Sequence, residues 1–186
     1  MNTLLFLALV VATLLSGCGT MSNRASVVLV PSTALTAEQT GVILLSTGAV
    51  QSCTSTATFL DVFDAASKKL VEGRSAVSVD GSFHKSDYPD HHGTLNALVL
   101  PAGNYYVSPR IANPYVRAIR TPAFGFSVRS GETTYIGELY MTRSCVSETT
   151  FVIRDEYNRD QKLAIEKNPS FAQRTSEKRL MQSIRR

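Results

Sequence analysis

The sequence predicts a mainly β protein, an antiparallel β-sandwich of about eight strands with a C-terminal helical extension. Three observations favour this class. Short apolar runs recur along the chain, and Gly, Pro or Asp-containing turns separate them. No helical pattern interleaves these runs, which argues against a doubly wound α/β fold. A stretch typical of a helix follows the last apolar run, near the C-terminus.

The predicted strands take their bounds from these apolar runs. The runs at 27–30 and 42–45 are continuous, which is typical of strands buried on both faces. The run at 124–128 alternates large and small residues, so one of its faces is expected to be buried. The other predicted strands are 59–63, 70–71, 76–79, 95–100, 105–107, 133–140 and 151–153.

Strict alternation in the predicted strand 133–140 would divide its side chains between two faces. One face is expected to carry Tyr135, Gly137, Leu139 and Met141. The opposite face is expected to carry Thr134, Ile136, Glu138 and Tyr140.

A corner between two predicted strands reads Leu100-Pro101-Ala102-Gly103-Asn104-Tyr105. Pro at the second position and Gly at the fourth suit a type I turn. This corner resembles one found in prealbumin-like and carboxypeptidase-regulatory-like β-sandwiches, and residues 124–140 continue the resemblance. The resemblance implies an Ig/prealbumin-like sandwich in which the corner joins two strands and Tyr105 packs inward.

The C-terminal part, 154–186, is predicted to be a helix followed by a basic tail. Residues 155–167 lack Gly and Pro, and Asn168-Pro169 ends the helix. Ser170 and Gln173 then form a capping-box pattern that predicts a second helical segment. Leu180, Met181 and Ile184 follow at helical spacing.

The net charge of +4 lies in this C-terminal part, because residues 1–153 carry equal numbers of basic and acidic side chains. A nucleic-acid-binding domain would carry basic residues on its folded body, so nucleic acid is not an expected partner. The basic tail suits docking on an anionic surface. Packing of its helix on the sandwich, with a solvated end, is an equal alternative.

Residues 4–15 form an apolar run that is too short to span a bilayer, which takes about 20 residues. It matches the core of a signal peptide, roughly 7–15 residues long. The run leads into Leu15-Ser16-Gly17-Cys18, which resembles the lipobox of bacterial lipoprotein precursors. An ordinary secretory signal or a buried N-terminal helix, with Cys18 an incidental thiol, is the alternative.

The lipobox resemblance implies a signal peptide at 1–17, acyl chains on Cys18 and a lipidated tether at 18–26, ahead of a sandwich domain at 27–153. Gly19 follows Cys18 where Asp often retains such proteins at the inner membrane, so the outer membrane is expected. Cys53 and Cys145 remain as an even pair, which in an oxidising compartment predicts a disulfide. Two buried thiols are the alternative.

One loop gathers all three histidines of the chain. Imidazole and carboxylate groups suit a divalent transition metal, although the spacing is irregular, and a solvated loop is the alternative. The candidate ligands are His84, Asp87, Asp90, His91 and His92.

Sequence motifs of hydrolases, zinc proteases and phosphate-binding loops are absent, so we do not expect an enzyme. The sequence therefore predicts a lipid-anchored protein on the periplasmic side of the outer membrane. It would act as a noncatalytic binding or scaffolding module whose partner is an envelope protein or complex. The second hypothesis is a metal-binding lipoprotein that uses the 84–92 loop.

Overall fold

The computed structural model describes residues 39–50, 58–71, 77–78, 85–111, 121–142 and 150–185. The predicted strand at 27–30, the tether, His84 and all three cysteines lie outside these ranges. The strands are β1 (Thr40–Ala49), β2 (Thr58–Asp64), β3 (Val77–Ser78), β4 (Leu95–Pro101), β5 (Gly103–Ile111), β6 (Ala123–Val128), β7 (Thr133–Met141), β8 (Phe151–Arg154), β9 (Ser176–Lys178) and β10 (Gln182–Ile184). Helix α1 (Tyr157–Lys167) and a 3₁₀ helix (Pro169–Gln173) lie between β8 and β9. The predicted mainly β fold with a C-terminal helix is confirmed.

The strands form two sheets. Sheet A has the order β4-β1-β7-β8, with β9 also paired to β7, and sheet B has the order β10-β6-β5-β2-β3. Sheet B is antiparallel, but β7 pairs in parallel with β1 and with β9. The prediction of a wholly antiparallel sandwich is therefore wrong for sheet A. Two parallel strands are joined by a long connection and not by a tight turn. Their pairing therefore leaves no local turn motif in the sequence from which it could be predicted.

The inner faces of the two sheets share one apolar core, which makes the arrangement sandwich-like. Ile43 and Leu139 of sheet A meet Val107 and Phe124 of sheet B in this core. The 101–103 corner carries the chain from sheet A to sheet B. Tyr105 follows the corner and is buried in the same core, and its hydroxyl donates to the Pro101 carbonyl at 3.0 Å. The inward packing expected for Tyr105 is confirmed.

Helix α1 covers part of the outer face of sheet A. Val42 and Leu44 of β1 and Tyr135 of β7 form a second apolar cluster with Ala164 of α1 and Phe171 of the 3₁₀ helix. The helix ends at Lys167, before the predicted Asn168-Pro169 stop. Among the described residues, the helices lack the length and hydrophobicity that a membrane span requires.

A bulge in β7 overturns the predicted alternation. Gly137 has a φ of +104°, and the pairing with β1 shifts register beside it, between Leu44 and Ser46. The extra residue reverses the alternation, as a β-bulge does. Tyr135 therefore faces α1, whereas Leu139 lies in the inner core, although strict alternation put both on one face.

The predicted second helical segment forms only as the short 3₁₀ helix Pro169–Gln173, and the prediction is wrong for the rest of the tail, which forms strands β9 and β10. The amides of Arg179 and Met181 donate to the carbonyls of Tyr135 and Ile136, both at 2.9 Å. These bonds occupy the edge of β7, and the chain then continues onto β6 as β10. Carbonyls in the part of β7 that β8 leaves uncovered thus replace the bonds that a helix would have made within itself.

Candidate functional site

Five ionisable side chains between α1 and sheet A form what we call the charge cluster: Asp90, His91, Glu138, Arg159 and Asp160. Each contacts the next, so acidic and basic groups alternate from Asp90 to Asp160. The side chains of Glu138 and Asp160 are completely buried. Burying a carboxylate is costly unless it is paired and hydrogen-bonded, so the partners of these two carboxylates determine whether the burial is tolerated.

Asp160, in the first turn of α1, is saturated with donors. Its Oδ1 accepts from the Tyr88 hydroxyl at 2.9 Å and from Arg159 Nε at 2.8 Å. Its Oδ2 accepts from the Tyr135 hydroxyl at 3.0 Å and from the Ser46 hydroxyl. Burial and the neighbouring Asp160 carboxylate raise the pKa of both tyrosines, so both phenols remain protonated donors. Asp160 therefore fastens α1 to β1, β7 and the loop that precedes β4.

Glu138, which the Gly137 bulge turns towards α1, is less completely satisfied. Its Oε1 accepts from His91 Nε2 at 3.0 Å and from Arg159 Nη2 at 2.9 Å. Its Oε2 is buried without a hydrogen bond, and Arg154 Nη1 lies 3.8 Å away. Burial alone would raise the pKa of Glu138, but the bonds from His91 and Arg159 outweigh it and lower that pKa. Glu138 is therefore ionised.

His91 connects the loop before β4 to β7. Its Nδ1 lies 2.8 Å from Asp90 Oδ1, and its ring stacks on Tyr88 with centroids 4.6 Å apart. The edge of Tyr140 closes a further side, at 5.7 Å. Burial lowers the pKa of His91, but the hydrogen bonds to Glu138 and Asp90 outweigh burial and raise it. Both ring nitrogens face carboxylates, which favours the imidazolium.

The loop is held in place by short-range bonds. The Ser86 hydroxyl oxygen accepts from the amides of Tyr88 and Gly93, both at 3.1 Å. A side chain at Gly93 would collide with the Thr47 carbonyl, so the close approach of this loop to β1 requires glycine. Asp87 forms an ion pair with Lys167 at the end of α1. The loop, the helix and sheet A are thus one bonded unit.

The structure gives the described members of the predicted metal set other partners. His84 lies outside the described residues. Asp87 pairs with a lysine, and Asp90 and His91 pair with each other. His92 has a buried Nδ1 without a hydrogen bond, and its backbone pairs with a residue of β1. Within the described ranges, no group of three or more His, Cys, Asp or Glu side chains is arranged to hold a metal ion.

The sequence interpretation missed Glu138, Arg159 and Asp160. These residues are distant along the chain from the histidine loop, and only tertiary packing brings them to it. One local signal was present, since Gly137 directly precedes the one charged residue of strand β7. Such a glycine is typical of a bulge that redirects the next side chain.

The cluster is organised to hold parts of the fold together. A shallow cleft of about 200 Å³ reaches Arg159, but neither buried carboxylate lines it. A carboxyl group that acts as general acid or base must reach the substrate directly or through one water, and the side chains of Glu138 and Asp160 expose no surface. No protein-family model and no curated protein matches this chain.

Proposed function

We propose that this chain is a lipoprotein anchored to the periplasmic side of the outer membrane, where it acts as a noncatalytic binding or scaffolding module of the cell envelope. One observation carries the proposal: Leu15-Ser16-Gly17-Cys18 follows an apolar run of signal-peptide length. Two or more acyl chains hold a protein on a bilayer stably, whereas one gives only marginal binding.

The strand register supports the disulfide that such a location predicts. Parallel strands β1 and β7 pair Ala49 with Met141. Cys53 and Cys145 each come four positions later (53 − 49 and 145 − 141), so both segments leave the same end of neighbouring strands. Neighbouring strands are about 4.8 Å apart, so the two chain segments that carry the cysteines start close together, at Ala49 and Met141. We infer a Cys53–Cys145 disulfide.

We propose that the sandwich belongs to the Ig/prealbumin-like class. The support is the corner at 101–103 together with the buried Tyr105, whose hydroxyl bonds back to the corner. Sheet A is a mixed sheet, because β1 pairs with β7 in parallel. Folds of this kind host many roles, so the assignment concerns architecture alone.

A noncatalytic role is supported by the state of the buried acids. The oxygens of Asp160 are occupied by four donors, and Glu138 is engaged by His91 and Arg159. These groups stabilise the helix and the loop on sheet A. A binding module needs such a rigid body to present its surface.

Mass spectrometry of the mature N-terminus tests the anchor. We expect a chain that begins at Cys18 and carries acyl chains, and that sediments with outer-membrane fragments. The Cys18→Ser variant should lose the added mass and leave the membrane fraction. An intact Met1, or an unmodified Cys18 in the wild type, would refute the proposal.

Alkylation tests the bridge separately. Without reductant, the denatured protein should take up iodoacetamide at neither Cys53 nor Cys145, and reduction should expose both. The single variants Cys53→Ser and Cys145→Ser should each release one reactive thiol. Ready alkylation of both residues before reduction would exclude the bridge.

A further inference from the structure

A polar cleft of about 460 Å³ lies where the turn before β7 meets the 3₁₀ helix and the start of the tail. Its volume falls in the range of small-ligand sites, roughly 300–1,000 Å³. It is separate from the charge cluster, since none of the five cluster residues lines it. The lining residues are Gly131, Thr133, Ser170, Gln173, Arg174 and Thr175.

Arg174 supplies the cleft with a positive charge that the described structure does not neutralise. The other bases of α1 and the tail up to Arg179 each form an ion pair with a carboxylate. Within the described residues, Arg174 and Arg185 have no such pair, and of these two only Arg174 lines the cleft. Glu132, beside the cleft in sequence, is engaged by Arg179 at 2.9 Å and by Arg129 at 3.9 Å. Arg174 therefore determines the charge of the cleft.

The remaining lining side chains offer hydroxyl and amide groups. In the part of the chain that the structure describes, the side chains of Ser170, Gln173 and Thr175 form no hydrogen bond. All three are exposed and can donate as well as accept. Gly131 leaves its side of the cleft open, because no other atom lies within 4 Å of where a Cβ would stand.

We propose that this cleft binds a saccharide that carries an anionic group. The Arg174 guanidinium pairs with the anion, because its planar fork of donors matches an oxyanion. The hydroxyl and amide groups of Ser170, Gln173 and Thr175 bond the sugar hydroxyls. The inference rests on the proposed binding role and gives it a ligand class.

Calorimetric titration of the full chain in detergent tests the site with four probes: glucose 6-phosphate, glucuronate, glucose and inorganic phosphate. We expect at least one of the two anionic sugars to bind about tenfold or more tightly than both glucose and phosphate. Only an anionic sugar can pair with Arg174 and also bond the hydroxyl and amide side chains of the cleft. Arg174→Gln should weaken that binding by about tenfold or more. Arg185→Gln is the matched control, an exposed arginine of the same tail outside the cleft, and should leave it unchanged.

Gln173→Ala separates sugar recognition from simple anion binding. This substitution should weaken the binding of the anionic sugar and leave the binding of phosphate unaltered. The inference is overturned if neither anionic sugar binds, if phosphate binds as tightly as they do, or if Arg185→Gln loses as much affinity as Arg174→Gln. These outcomes are independent of the acyl chains on Cys18, so failure of the ligand and failure of the anchor are distinguishable.

Discussion

Glu138 and Asp160 show how two buried carboxylates of one cluster can differ in their dependence on a single neighbour. Asp160 has four donors, including three hydroxyls that stay protonated. Glu138 has two donors, the Arg159 guanidinium and the His91 imidazole, which is cationic when protonated. Its second oxygen has no hydrogen bond. The charge of Glu138 is therefore compensated chiefly by His91 and Arg159. Removing the Glu138 carboxylate deprives both of these residues of a shared partner.

Replacing Glu138 with Gln should lower the free energy of unfolding by about 3 kcal/mol, because removing one partner of a buried ion pair leaves the other uncompensated. Urea unfolding at neutral pH measures this. Asp90→Asn is the matched control, since 78% of the Asp90 side chain is exposed and its loss should cost under about 1 kcal/mol. Equal losses in the two variants would contradict the role given to Glu138.

The raised pKa of His91 predicts a stability that depends on pH. A raised folded-state pKa stabilises fully below the ordinary value of about 6.5, and this contribution disappears as pH rises through the folded-state pKa. The groups facing His91 are Asp90, Glu138 and, through Glu138, Arg159. The lowered pKa of Glu138 acts in the opposite direction, since its contribution disappears only in acid.

Urea unfolding of the wild type should therefore show a decline in stability above about pH 6.5. The variant His91→Gln should be less stable than the wild type below that pH. Its free energy of unfolding should not show the part of the decline that comes from His91. A wild type and a variant with parallel pH profiles would show that His91 does not titrate in this way.

At the scale of elements, the bulge in β7 determines which side chains meet α1. Gly137→Ala should cost about 2 kcal/mol, because its φ of +104° disfavours a side chain and a Cβ would lie 3.0 Å from Ile153 Cγ2. Gly131→Ala is the control: its φ of +73° brings backbone strain, but its Cβ would meet no atom within 4 Å. It should cost about 1 kcal/mol.

The same substitution tests whether the bulge aims Glu138. If it does, Gly137→Ala and Glu138→Gln together should destabilise by less than the sum of the single variants. Thermodynamic additivity in this double-mutant cycle would separate the bulge from the charge cluster.

The local sequence pattern predicted helix α1 well and the segment after Pro169 poorly. Helix α1 begins two residues after the predicted start of 155. It ends as predicted at 167, because Pro169 disfavours helical backbone at Asn168, which is extended. The segment after Pro169 carried a capping box and helical spacing, yet forms a 3₁₀ helix and two strands. The open edges of β7 and β6 offered backbone partners that a short, weakly helical segment could not match with its own bonds.

At the scale of the whole molecule, the tail joins the two sheets. Strand β9 extends sheet A and β10 extends sheet B, and Met181 between them is buried in the shared core. Met181→Ala should cost about 3 kcal/mol through the cavity it leaves. Ile184→Ala, at a position 39% exposed, should cost under about 1 kcal/mol. Thermal or urea unfolding of both variants measures the difference, and equal effects would mean that the tail is not part of the core.

The resemblance at the 101–103 corner implied that Tyr105 packs inward. Sequence patterns predicted strands β1 to β8 and helix α1 with its end, although the run at 70–71 forms only a bridge between Leu70 and Phe63. These features depend on neighbours along the chain, which apolar periodicity, turn residues and Pro report directly. The anchor at Cys18 is a prediction from sequence alone. Packing between distant segments set the parallel pairing of β1 with β7, the reversal of faces at the Gly137 bulge, and the strands of the tail. It alone brought Glu138, Arg159 and Asp160 to His91. Such outcomes depend on backbone partners and buried charges that come from distant parts of the chain, and no local pattern encodes their meeting.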